Sequence, residues 1–270
     1  MFKKKIIIIL FSLILYQSPL LSKSTSFNEF NSKNLSKYFS GIVASENKNN
    51  SKALDFFKSS KILINLYDPF LERFVVSLVL EDKVAQAINI IKANRGKSNL
   101  DFFEAYILLG LDSLKKNNIN ETKKILAKIP EHLQENRFNF IILDSLKQYV
   151  EVFTTNKIQK ENQDFGNLTF VNETFQRCYL DDKNTDSFFL RLINNSQADY
   201  SRYTYFYLTY LIEKDKIEEA KSITGKLDYI NTTLLLSQGK SWIESNEYKK
   251  FGKIFSCSNH NDILGEFLFL

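Results

Sequence analysis

Apolar and polar residues alternate along this chain in a pattern that changes character after its first two dozen positions. Met1-Phe2 and three lysines run directly into IIIILFSLILY, an apolar stretch from Ile6 to Tyr16. Beyond it, apolar positions recur every three or four residues, the period of an amphipathic helix, and short polar runs interrupt them. LSKYFSGIVASE is followed by NKNN and then SKALDFFKSSKILIN; PFLERFVVSLVL by EDK and then VAQAINIIKAN. NLDFFEAYILLGLDSLKKNN precedes INETKKILAKIP. Each is a helix, a tight turn and a second helix. Glu131 to Thr155 reads as one long helix, and TTNKIQKENQDFGN as a polar loop ending at Gly166. LTFVNETFQRCYL and TDSFFLRLIN read as shorter helices. Two looser hairpins follow, one around EKDK and one spanning TTLLLSQGKSWIESNEYKKFGKIFS.

The hairpins are in phase. Gly41, Val75 and Gly110 lie in the first helices, with Ala53, Ala87 and Thr122 twelve positions later in the second, and these second positions advance in steps of 34 and 35. Leu208 with Ala220, and Gly239 with Phe251, keep the same spacing. Small residues at such points let two helices approach closely, and Ala53 with Phe57, or Tyr106 with Leu109 and Gly110, form a repeated signature. In period, hairpin shape and these positions the chain resembles the tetratricopeptide repeat (TPR) family. Its Lys-, Asn-, Ile- and Phe-rich vocabulary is more narrowly similar to exported TPR proteins of AT-rich alphaproteobacteria.

The resemblance implies an all-α fold, antiparallel hairpins stacked as a right-handed superhelix (an α-solenoid). It also implies a concave groove lined by first-helix positions: Tyr38, Ile42, Glu46, Glu72, Val76, Ile107, Arg202, Tyr205, Thr209 and Glu213. That lining is largely apolar and lacks the regular Lys/Asn/Arg set with which some TPRs clamp a peptide carboxylate. In the run Tyr200 to Tyr210, Tyr203, Tyr207 and Tyr210 share one helical face and read as core, leaving Tyr205 as the exposed aromatic.

The organisation expected is a signal peptide at 1–24, a linker at 25–33, an N-terminal TPR-like array at 34–155, a polar loop at 156–166, and degenerate C-terminal repeats at 167–270. A basic start, a short apolar core, Pro19 and small residues at Ser22 and Ser24 make the leader pattern, since a membrane span needs ~20 apolar residues. The expected location is therefore the periplasm or cell envelope, with no membrane span in the mature chain. The apolar ending from Ile263 to Leu270 resembles a first helix without its partner, so a longer array or a covering partner is expected there.

Composition adds little against this picture. With 8 Gly and 3 Pro in 270 residues, a many-stranded sandwich or barrel is excluded. A net charge of +5 points to an anionic partner until the charges are placed. Four lysines and no acid lie within residues 1–24, leaving 32 basic against 31 acidic residues beyond, so nucleic acid is not an expected partner. Cys178 and Cys257 are an even pair that an oxidising compartment could join, though their apolar neighbours Phe175, Tyr179 and Phe255 favour two buried free thiols. His132 and His260 stand far apart, in separate expected repeats, and read as surface histidines. No phosphate-binding glycine motif or zinc spacing occurs, and no catalytic, cofactor or metal residues are nominated. The expected role is a non-catalytic scaffold for a protein or peptide partner. The alternative is the helical superhelix of a cell-wall lytic transglycosylase whose catalytic domain is missing from this chain.

Overall fold

A computed structural model describes residues 31–159, 164–194, 201–227 and 233–268. The expected leader at 1–24 lies outside them. The described residues are helical, with no strand among them. The chain forms two compact units, Met1–Ala105 and Tyr106–Leu270.

In the first unit, α1 (Ser32–Glu46) and α2 (Asn50–Ser59) make one hairpin, and α3 (Pro69–Leu80) and α4 (Val84–Ala93) the next. Asn31 and Asn49 cap α1 and α2, each side chain accepting a backbone N–H from the first turn, and Pro69 opens α3 where a missing N–H costs nothing. The core is aromatic: Phe70 lies 5.7 Å from Tyr38 and 6.0 Å from Phe57, ring centre to ring centre. A short 3-10 helix, Lys61–Asn65, joins the hairpins, and buried Asn99 donates to the Ile64 carbonyl at 2.6 Å.

The helix α5 (Phe103–Lys115) contains the division between units. In the second unit follow α6 (Ile119–Ala127), α7 (Arg137–Thr155), α8 (Asn167–Tyr179), α9 (Thr185–Ile193), α10 (Ser201–Glu213), α11 (Ile217–Thr224), α12 (Leu234–Glu244) and α13 (His260–Leu268). The expected long helix from Glu131 is instead a 3-10 turn, Glu131–Gln134, followed by α7, because Asn136 caps a fresh start by accepting from the Phe138 N–H. The second helix of the last hairpin is likewise a 3-10 helix, Tyr248–Lys253.

Six turns among the described residues share one backbone solution. Lys48, Asp82, Asn117, Asp181, Asp215 and Asn246 all have φ between +52° and +59°. At each, the residue's own N–H bonds back three positions and the next N–H bonds back five, as Lys83 does to the Leu78 carbonyl at 2.8 Å. The turns recur at steps of 34 and 35 in the first three, then 34 and 31 in the last three. They make α8 and α9 a hairpin of the same kind as the others. The loop after Asp181 is two residues longer before its helix cap, Asn184, which removes the twelve-position spacing and hides this hairpin in the sequence.

The expectation of two free thiols is overturned. Cys178 of α8 and Cys257, beyond the last 3-10 helix, form a disulfide with Cα atoms 5.2 Å apart. Ile263 and Leu264 are buried, and α13 packs on α8 of the same chain, so no partner is needed to cover these two residues.

Candidate functional site

The small residues at repeat positions sit where two helices nearly touch. A Cβ on Gly41 would lie 2.7 Å from the Phe57 ring, and one on Gly110 would lie 3.2 Å from Leu126, the same distance along the chain in both cases. Ala53, Ala87 and Ala220 are buried at the facing positions, and Tyr106 is half-buried. Where the third hairpin has Thr122 in place of alanine, its hydroxyl donates to the Gly110 carbonyl at 3.3 Å, so the polar atom is satisfied at the contact.

Of the groove residues in the first unit, Tyr38 is buried, Ile42, Glu72 and Val76 are half-buried, and Glu46 is exposed. Tyr38 and Glu72 belong to a mixed cluster with Tyr67, Arg73 and Glu104. The Tyr38 and Tyr67 rings meet edge to face at 5.2 Å. Burial raises the Tyr38 phenol, and neighbouring Tyr67 adds to this. Burial also raises the Glu72 carboxyl above the ordinary glutamate value; the like charge of Glu104 pushes the same way, and Arg73 only partly offsets both. First-helix residues of successive hairpins thus sense one another here.

A second feature of the first unit is a cleft of about 600 Å³ between α1 and α2, on which Phe39, Val43 and Phe56 open with Ser36, Ser40 and Lys52. Phe39 and Val43 are 54% and 60% exposed, unusual for large apolar side chains. Face periodicity in α1 already separates them from buried Tyr38, Gly41 and Ala44.

In the second unit Ile107 and Arg202 are half-buried and Glu213 is exposed, whereas Tyr205 and Thr209 are fully buried. Tyr205 is therefore not the exposed aromatic. Its ring stacks on Phe251 at 5.5 Å and lies against Gly239, because α10 is enclosed by α12 and the Tyr248–Lys253 turn as well as by α9. Tyr203, Tyr207 and Tyr210 are buried too, as the shared face requires. His132 is exposed; His260, expected at the surface, is half-buried with its ring 5.5 Å from Phe153.

Three side-chain arrangements in the second unit are not evident from spacing. Between α7 and α8, buried Tyr149 donates to Asn172, Asn172 to Ser145, and Gln176 to Gln148. The signal for it, polar residues four apart on otherwise apolar faces, has the form of an ordinary helix surface. Between α8 and α9 the guanidinium of Arg177 covers Phe188 at 4.2 Å, Phe188 stacks on Phe170, and Arg191 covers Phe170 at 4.6 Å. Third, Asp186 accepts from the Tyr207 phenol and pairs with Lys216. Burial, then this carboxylate, raises the Tyr207 phenol, keeping it a neutral donor. No group of three or more His, Cys, Asp or Glu side chains among the described residues could hold a metal ion, and none of the described helices is long and apolar enough to cross a membrane. Compared with protein-family models, curated proteins and solved structures, the chain matches none.

Proposed function

We propose that this chain is an exported, non-catalytic TPR-type scaffold that binds a protein or peptide partner in the bacterial periplasm or cell envelope. The observation that carries the reading is the set of six equivalent turns, each joining a first helix to its partner, spaced by 31 to 35 residues within each group of three. Stacked in a right-handed superhelix, such hairpins present their first helices as a continuous concave face. The electrostatic coupling of Tyr38, Glu72 and Glu104, from successive first helices of one unit, supports that arrangement. A buried disulfide supports an oxidising compartment, and the leader pattern at 1–24 supports export.

On this reading the groove of the first unit is walled by Ile42, Glu72 and Val76, and its half-buried carboxylate selects partners that offer a basic side chain. Site-specific photo-crosslinking in living cells tests it. A crosslinker at position 42 or 76 should trap a discrete adduct, diminished in the Glu72→Gln variant, while one at exposed Lys58 on α2 should not. Adducts trapped equally from position 58, or only from position 43 in the α1–α2 cleft, would sink the concave-groove assignment.

A further inference from the structure

The disulfide joins two places 79 residues apart, and between them lies about half of the second unit. In a simple stack each hairpin touches only its neighbours. Here the segment 255–264, which follows the last hairpin, returns to α8, the first helix of the fourth hairpin. Phe255 packs on Phe206 at 4.7 Å and on Phe175 at 6.0 Å, and α13 lies on α8. His260 reaches Phe153 of α7. The segment also braces itself: the Ser256 N–H donates to Asp262. Phe175, Phe206, Phe255, Ile263 and both cysteines are almost fully buried where the segment returns.

We infer that segment 255–264 is a strap over the aromatic core of the second unit, and that the Cys178–Cys257 bond is its lock. The strap covers Phe175 and Phe206 with few side chains of its own, and the chain joining it to its landing site passes through four helices and a 3-10 turn. Closing so long a loop costs conformational entropy that the covalent bond removes. With the thiols reduced, the strap is held only by the packing of Phe255, His260, Ile263 and Leu264, and it opens to uncover Phe175 and Phe206.

Burial of both cysteines also fixes the order of events. The bond forms while the strap is away, by thiol–disulfide exchange with an external disulfide carrier such as a dithiol–disulfide oxidoreductase. One cysteine, deprotonated, attacks the carrier disulfide to give a mixed disulfide and a carrier thiolate. The second cysteine, deprotonated in turn, displaces the carrier sulfur, so the pair gives up two electrons and two protons and the carrier leaves as a dithiol. Closure of the strap then hides the product from further exchange. This inference does not depend on what, if anything, the first-helix groove binds.

Amide hydrogen exchange tests the lock, comparing the oxidised full chain, the same chain reduced in denaturant and refolded with reductant, and the Cys178→Ser/Cys257→Ser variant. Amides of 255–264 should exchange at least tenfold faster in both unlocked forms, while α1 to α4 keep their protection. The oxidised native chain should resist both thiol alkylation and mild reductant. Equal protection of 255–264 in locked and unlocked forms would overturn the inference, as would loss of protection throughout the second unit. A Phe255→Ala variant with intact cysteines separates lock from packing: it should stay protected at 255–264 when oxidised and lose protection on reduction. Rapid exchange in its oxidised form would also overturn the inference.

Discussion

A methyl group at Gly41 would meet the edge of the Phe57 ring at 2.7 Å, and that ring is pinned by Tyr38 and Phe70. At Gly110 the neighbour is instead the end of a leucine side chain, at 3.2 Å, which can turn aside. Gly41→Ala should therefore cost about 2 kcal/mol and Gly110→Ala less than half of that, as overpacked contacts with and without a yielding partner do. Urea unfolding of both variants checks the order; equal losses would mean that Phe57 moves as easily as Leu126. Glu72 gives a residue-scale prediction in pH. Its carboxyl is raised in the folded chain, by burial first and by Glu104 second, so folding favours the protonated form. The cost of holding it ionised is fully present above the folded value and vanishes below the ordinary glutamate value of ~4.3. Glu72→Gln should raise the thermal midpoint at pH 7 and leave it unchanged near pH 4. A gain of equal size at both values would assign the effect to packing and not to charge.

Among elements, the turns are the most regular feature, yet none of the six uses glycine at its left-handed position. Asn and Asp tolerate that conformation better than other side chains, but Lys48 has no such excuse. Lys48→Gly should stabilise the first hairpin by ~0.5–1 kcal/mol, relief of left-handed strain being partly offset by glycine's greater freedom when unfolded. Denaturant midpoints decide it, and a loss of stability would show that the Lys48 side chain contributes more than its backbone costs. The same turns explain what is legible in the sequence. Helices and hairpins can be placed because apolar spacing and polar EDK-like runs report local structure, and the small residues of the first and third hairpins mark close contacts that exist. The α8–α9 hairpin escapes because two added loop residues put Asp186 where a small apolar marker is expected. Tyr205 misleads for a different reason. Face periodicity assumes one buried side, whereas α10 is enclosed by α9, α12 and the Tyr248–Lys253 turn, so apolar residues all round it are consistent with burial on every face. Partners as distant in sequence as the two cysteines leave no local signal.

For the whole molecule, charge and covalent closure matter more than any one helix. Basic and acidic residues nearly balance after position 24, 32 to 31, and one disulfide closes a long loop of the second unit. Each unit has its own aromatic core: Tyr38, Phe57 and Phe70 in the first, Phe175, Phe206 and Phe255 in the second. Only the second contains the one tryptophan, Trp242, almost buried and edge-on to Phe251 at 5.5 Å. Its fluorescence therefore reports unfolding of the second unit alone, while helical circular dichroism follows both. A cross-link closing so long a loop should remove about 4 kcal/mol of loop entropy from the unfolded chain. Reduction should then lower the unfolding free energy read from the Trp242 signal by that much, and its denaturant midpoint by that energy divided by the denaturant slope. The part of the dichroism change that belongs to the first unit, which holds neither cysteine, should keep its midpoint. If the two signals shift together, the units unfold as one and the cross-link stabilises both. If the Trp242 midpoint does not move, the entropy removed from the unfolded chain is offset by strain in the folded one or by structure retained when unfolded, and the entropic account of the cross-link fails.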